Sequence, residues 1–105
     1  MLEILKPCQR EVKAFPTEIR EDLADAVARL ELGQTLSLPL SRPMPSLGKG
    51  IHELRLKDRS GIYRIIYFII RANKIILVHA FKKTTQETPL QVLNTAKRRI
   101  KEVKI

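Results

Sequence analysis

Apolar residues recur at helical spacing in the first third of the chain and at strand spacing in the second half. In PTEIREDLADAVARLELG, Ile19, Leu23, Ala26, Val27 and Leu30 form one stripe, the pattern of an amphipathic helix. Glu18, Glu21 and Asp22 lie near its positive N-terminal end, and Gly33 stands where a C′ glycine belongs. A shorter helix precedes it: Pro7 suits a first turn, Cys8, Val12 and Phe15 fall at i, i+4 and i+7, and Pro16 separates the two. The pair reads as a helical hairpin with an acidic, solvated face. Leu2–Lys6 alternates weakly and reads as a short opening strand.

Three strands follow, at Ile51–Lys57, Ile62–Arg71 and Lys74–Lys82. The turns Arg59-Ser60-Gly61 and Ala72-Asn73 are too short for anything but antiparallel neighbours. The middle strand, IYRIIYFII, is apolar on both faces apart from Arg64, so it belongs at the centre of the sheet. Between hairpin and sheet, residues 34–50 carry Pro39, Pro43, Pro45, Gly48 and Gly50 and read as a connector packed on the sheet. Thr88-Pro89-Leu90-Gln91 starts a last helix, with Leu90, Leu93, Ala96, Ile100 and Val103 on its packing face. Lys97, Arg98, Arg99, Lys101 and Lys104 make its other face basic. The expectation is an α+β fold in a single domain over residues 1–105. It has two N-terminal helices, a small twisted antiparallel sheet and a C-terminal helix. The helices are expected on one face of the sheet and a basic cleft on the other.

Composition removes several classes. The single cysteine, Cys8, excludes an intramolecular disulfide and fits a reducing cytosol. Two histidines and one cysteine offer no zinc spacing, so neither metal nor cofactor is expected. The longest apolar run, Ile65–Ile70, is far short of the roughly 20 residues a membrane span needs. With no apolar leader at the N-terminus, a cytoplasmic protein without membrane contact is expected. Charge adds a positive signal. From Leu47 onward there are 14 Lys/Arg against 4 Asp/Glu, whereas Met1–Ser46 carries 6 against 7. Cations concentrated on a sheet point to nucleic acid or an acidic partner.

No glycine-rich phosphate loop, catalytic carboxylate pair or Ser/His or Cys/His nucleophile arrangement is present. Metal-independent RNA cleavage needs none of these. The 2′-hydroxyl attacks phosphorus, a base takes its proton, an acid protonates the leaving 5′-oxygen, and cations stabilise the transition state. Arg64 suits that last role, since a guanidinium matches two phosphate oxygens. Arg55 on the neighbouring strand would hold an adjacent phosphate. Of Lys82 and Lys83, alternation puts one on Arg64's face, where neighbouring cations would lower its pKa toward acid/base work. Glu53 is an ion-pair partner or a base. His79 reads as a packed, hydrogen-bonded strand residue and His52 as a more exposed one. Tyr63 and Tyr67 fall on the face opposite Arg64. Lys57, Arg59, Lys97, Arg98 and Lys101 are candidate RNA-backbone contacts.

AFPTEIREDLADAVARLELG, LGKGIHELRLKDRSGIYRIIYF, IILVHAFKKTTQETP and AKRRIKE, in that order, resemble the RelE/ParE toxin superfamily, in particular its phage-derived, HigB-like branch. The resemblance covers about Cys8 to Val103 and implies a RelE-like fold and the toxin half of a type II toxin–antitoxin pair. It implies a ribosome-dependent mRNA endonuclease. Ribosome, mRNA and a small helix-turn-helix antitoxin would be its partners, the last in a toxin–antitoxin hetero-oligomer. Arg64 in GIYR matches the arginine of the nuclease members, and Lys82–Lys83–Thr84 their basic patch after the last strand. Glu53 and Arg55 stand where those members have two basic residues, so the first is a departure. The tyrosine some members carry near the C-terminus has no counterpart here. ParE-type members inhibit DNA gyrase instead, a reading in which the C-terminal helix makes the contact. A non-toxic nucleic-acid-binding regulator is the third reading.

Overall fold

The strand at the centre of the sheet buries an unbroken run, Tyr63 to Phe68, and the strand beside it buries one of equal length, Ile75 to Ala80. The computed structural model describes residues 1–70, 74–84 and 88–103. Its elements in chain order are β1 (Leu2–Ile4), α1 (Lys6–Lys13), α2 (Thr17–Glu31), β2 (Ser41–Pro43), β3 (Ile51–Asp58), β4 (Gly61–Ile70), β5 (Lys74–Lys83) and α3 (Leu90–Val103). The Ala72-Asn73 turn, Arg71 and Lys104 lie outside the described residues.

The sheet has five strands in the order β1-β5-β4-β3-β2. It is mixed, not purely antiparallel as the three long strands suggest, because β1 runs parallel to β5 with Leu2 opposite Ile75. The whole chain between these two strands serves as the crossover that a parallel pair requires. β1 is the opening strand expected at Leu2–Lys6, but the connector supplies an unexpected one, β2, whose Ser41 pairs with Leu54 of β3. Ser41 is buried, and its hydroxyl shares a 2.7 Å hydrogen bond with the Tyr67 hydroxyl. A serine thus replaces the solvent that a buried phenol would lose.

The helices do not lie on one face. Ile19, Leu23, Val27 and Leu30 of α2 and Cys8 of α1 pack with Leu54, Leu56, Tyr63, Ile65 and Tyr67. Ala96 and Ile100 of α3 pack with Ile66, Phe68, Ile76 and Val78, together with Met44 and Leu47 of the connector. Alternation assigns these two sets to opposite faces. The middle strand is apolar on both faces because each face has its own core. Ile65 and Ile66, both fully buried, serve one core each; truncating either to Ala should cost about 2–5 kcal/mol. Leu90, expected on the packing face of α3, is 69% exposed, since the helix begins at this residue, ahead of the turn that meets the sheet.

One irregularity sets which side chains meet. Ile66 pairs with His79 but Tyr67 pairs with Leu77, so β5 has an extra residue at Val78. This β-bulge reverses the alternation of everything after it. Ile75 and Leu77 face α1 and α2, whereas Phe81 and Lys83 face the other side.

Candidate functional site

The register of four strands gathers five charged side chains at one end of the α3-bearing face. Arg42 pairs with Glu53, Arg55 with Arg64, and Ile62 with Lys83. Directly opposed residues share a face, as do residues two apart on one strand. Arg42, Glu53, Arg55, Arg64 and Lys83 therefore project together. Glu53 is fully buried and Arg64 is 6% exposed. Arg42 Nε donates a 3.2 Å hydrogen bond to Glu53 Oε1. Arg64 Nε stands 3.4 Å from the same oxygen, an ion pair without hydrogen-bond geometry. Three buried polar atoms in this group have no hydrogen-bond partner: Glu53 Oε2, Arg55 Nε and Arg64 Nε.

The electrostatics follow from that crowding. Burial draws the Arg64 guanidinium below its ordinary value, Glu53 opposes this, and Arg55 and Arg42 reinforce it. It still stays charged at neutral pH. The Lys83 ammonium is also drawn down, first by burial and then by Arg64, with Glu53 again opposing. A cleft of about 420 Å³ opens at one side of this group, walled by its Arg55 and Arg64, by Lys57 and by apolar Pro39, Leu40, Leu56 and Ile62. A fixed cationic surface beside a lysine with a lowered pKa can hold a phosphodiester and move a proton at one of its oxygens.

The expected site residues divide. Arg55, Arg64, Lys83 and Glu53 come together, with Lys57 at the cleft wall. Lys82 does not join them: it points to the α1/α2 face, its Nζ 5.8 Å from the centre of the Tyr63 ring. Gly61 makes room for it there. Its φ is +148°, and a Cβ at that position would come within 2.8 Å of Lys82 Cε. Arg59 lines a separate cleft with Pro16, Thr17 and Glu18, near the start of α2. Lys97, Arg98 and Lys101 are exposed on α3. His52 stacks on Tyr67 on the face opposite Arg64, with ring centres 5.5 Å apart. The basic cluster is also not on a helix-free face, because α3 covers the other end of the same side.

Sequence reasoning missed Arg42, which lies in the proline-punctuated connector with no alternation to mark a strand. It also placed Arg99 on the solvent-facing basic stripe, whereas that side chain is 11% exposed. Arg99 Nη1 donates to Glu11 Oε1 at 2.9 Å and to the Val78 carbonyl at 3.0 Å, and Nη2 donates to Glu11 Oε2 at 3.0 Å. The Ala80 N–H donates to Glu11 Oε1 at 3.1 Å, and His79 Nδ1 lies 3.0 Å from that oxygen. β1 stops at Ile4, so past Leu77 the outer edge of β5 has no strand neighbour. Glu11 and Arg99 fill that gap and tie α1 and α3 to the strand that carries Lys83. His79 is the packed, hydrogen-bonded residue its sequence context suggests.

The family described as Phage derived protein Gp49-like (DUF891) matches residues 10–101. The chain belongs to that family. The match contains every residue of the cationic cluster and both Glu11 and Arg99. Gp49-like proteins are a toxin–antitoxin-associated family. A comparison with curated proteins gave no match. No helix among the described residues is long and apolar enough to cross a membrane.

Proposed function

We propose that this Gp49-like protein is the RelE-like toxin of a type II toxin–antitoxin pair and cleaves mRNA on the translating ribosome. The observation that carries this reading is Arg64. It is a nearly buried arginine whose Nε has no hydrogen-bond partner, set on a rigid central strand at the wall of an open cleft. Burying a guanidinium in that state is unfavourable unless an anion completes it.

In the proposed reaction the 2′-hydroxyl oxygen attacks the adjacent phosphorus and its proton leaves to a base. The bond to the 5′-oxygen breaks, giving a 2′,3′-cyclic phosphate and a 5′-hydroxyl. Arg64 and Arg55 stabilise the charge on the equatorial oxygens. Lys83 protonates the leaving oxygen, a role its lowered pKa favours. Such a small catalytic set gains most when a larger partner holds the RNA in line, which supports the ribosome as the place of action. Family membership supports a cognate antitoxin, proposed as a small helix-turn-helix protein that covers the cationic cleft.

The test is inducible expression with primer extension on cellular mRNA, comparing wild type with Arg64→Ala. Codon-registered cuts that disappear in Arg64→Ala are expected. Growth arrest with intact transcripts would overturn the nuclease reading in favour of gyrase inhibition.

A further inference from the structure

Glu53 is the odd member of the cationic cluster. A carboxylate among phosphate-binding cations weakens the site, unless its geometry does something that its charge alone would not. It is fully buried, and its Oε1 is shared by Arg42 and Arg64 while Oε2 has no hydrogen-bond partner. Both arginines make their closest approach through Nε, the nitrogen nearest the side-chain stem. Neither guanidinium turns its terminal pair of nitrogens onto Glu53. A simple neutralising pair would show the opposite, with the forked end of one arginine seated on both carboxylate oxygens. That bidentate geometry does occur in this molecule, between Arg99 and Glu11.

We propose that Glu53 is a positioning residue and Arg42 a phosphate ligand: Glu53 holds the Nε sides of Arg42 and Arg64 so that their terminal nitrogens form a two-guanidinium cradle for two successive RNA phosphates. This rests on the nuclease reading in one respect, that Arg64 takes the scissile phosphate and Arg42 the one beside it. Charge supports two phosphates over one. Arg42, Arg55, Arg64 and Lys83 against Glu53 leave an excess of three positive charges, and one phosphodiester carries a single negative charge. Exposure supports the division of labour. Arg64 is 7% exposed at its side chain and Arg42 is 42% exposed, so one is fixed at the cleft and the other reaches outward along the strand path. Arg55 Nε and Arg64 Nε are buried donors with no hydrogen-bond partner, each unfavourable by about 1–3 kcal/mol, which suits a cluster that receives an anion.

The experiment uses a fluorescein-labelled oligodeoxythymidylate, which lacks the 2′-hydroxyl and so binds without being cut. Its Kd is measured on the full chain across a salt series. Arg42→Ala is expected to weaken binding and to flatten the slope of log K against log salt by about 0.7, the value for one phosphate of a single strand. Arg20→Ala removes the same charge from the exposed surface of α2 and is expected to leave the slope unchanged. An unchanged slope in Arg42→Ala, or an equal change in Arg20→Ala, overturns the assignment of Arg42. For Glu53, the Nε–H resonance of Arg42 is expected to be resolved in wild type and lost in Glu53→Ala. In that background, adding Arg42→Ala should no longer change the slope. If Glu53→Ala does not fold, Glu53→Gln keeps an acceptor oxygen and is expected to keep the Arg42 resonance. Loss of the resonance in a folded Glu53→Gln, or a full Arg42 effect in Glu53→Ala, overturns the positioning role. Cleavage with an unchanged Arg42 slope would remove the cradle and leave the nuclease. A changed slope without cleavage would do the reverse.

Discussion

Lys83 shares the face of Arg64 because β5 carries one extra residue at Val78. The pairing steps from Ile66 opposite His79 to Tyr67 opposite Leu77, and everything beyond the step changes sides. Without the bulge, Lys82 would share Arg64's face and Lys83 would face the α1/α2 core. The same irregularity turns the Val78 carbonyl and the Ala80 N–H toward Arg99 and Glu11. Two separate features of the site, its lysine and its brace, come from one inserted residue.

The two neighbouring lysines should therefore behave differently. Lys83→Met is expected to lower the cleavage rate about 10²–10⁴-fold, the usual contribution of a general acid. Lys82→Met should leave the chemistry intact. Burial, then Arg64, lowers the Lys83 pKa. As the acid, Lys83 is active while protonated, so the rate should fall as pH rises through that lowered value. The alkaline limb should lie below the ordinary lysine range and vanish in Lys83→Met. Single-turnover rates across pH check this, and a limb that survives in Lys83→Met would assign the acid elsewhere.

Much of this fold is legible in the sequence. The stripe from Ile19 to Leu30 marks α2, and the strand pattern marks β3, β4 and β5 to within a residue or two. Arg64 stands out because it interrupts IYRIIYFII. The bulge is not legible: IILVHAF is apolar apart from His79, and a single polar residue cannot report a change of side along the strand. β2 is hidden for a different reason. Three residues between prolines have too little pattern to register, and their pairing is decided by β3 and by Tyr67 finding Ser41. The two-sided core follows from the middle strand being apolar on both faces, yet nothing in the sequence of α3 says which face it covers.

Glu11 should set the acid stability of the molecule. Burial alone would push its carboxyl up, but hydrogen bonds from His79, Arg99 and the Ala80 N–H outweigh this and bring it from 4.5 down to about 2. A carboxyl with a depressed folded pKa contributes its full stability above the unfolded value. That stability is lost as pH falls from about 4.5 toward 2. With allowance for partial exposure, the contribution is about 2 kcal/mol. Glu11→Gln is expected to lower Tm at pH 7 by about 10 °C and to flatten the fall in stability below pH 4.5. Arg99→Ala should also destabilise. Thermal unfolding across pH checks both, and an unaltered pH profile in Glu11→Gln would show that the brace carries no stability.

Cys8 should be inert in the folded protein. It is fully buried, and burial followed by the Glu11 carboxylate pushes its thiol up to about 12, with Arg99 opposing. Alkylation at neutral pH is expected only through unfolding, so the labelling rate should rise with denaturant in step with loss of structure. Rapid labelling of the native protein would contradict the packing of α1 against the sheet.

The central claim is that Arg64 stabilises the transition state of RNA cleavage, and single-turnover cleavage of mRNA on programmed ribosomes by wild type and Arg64→Ala tests it most directly. The expected result is cleavage by wild type and a rate about 10²–10³-fold lower in a folded Arg64→Ala, as for loss of one transition-state donor. Equal rates, or no cleavage by the wild-type protein, would contradict it.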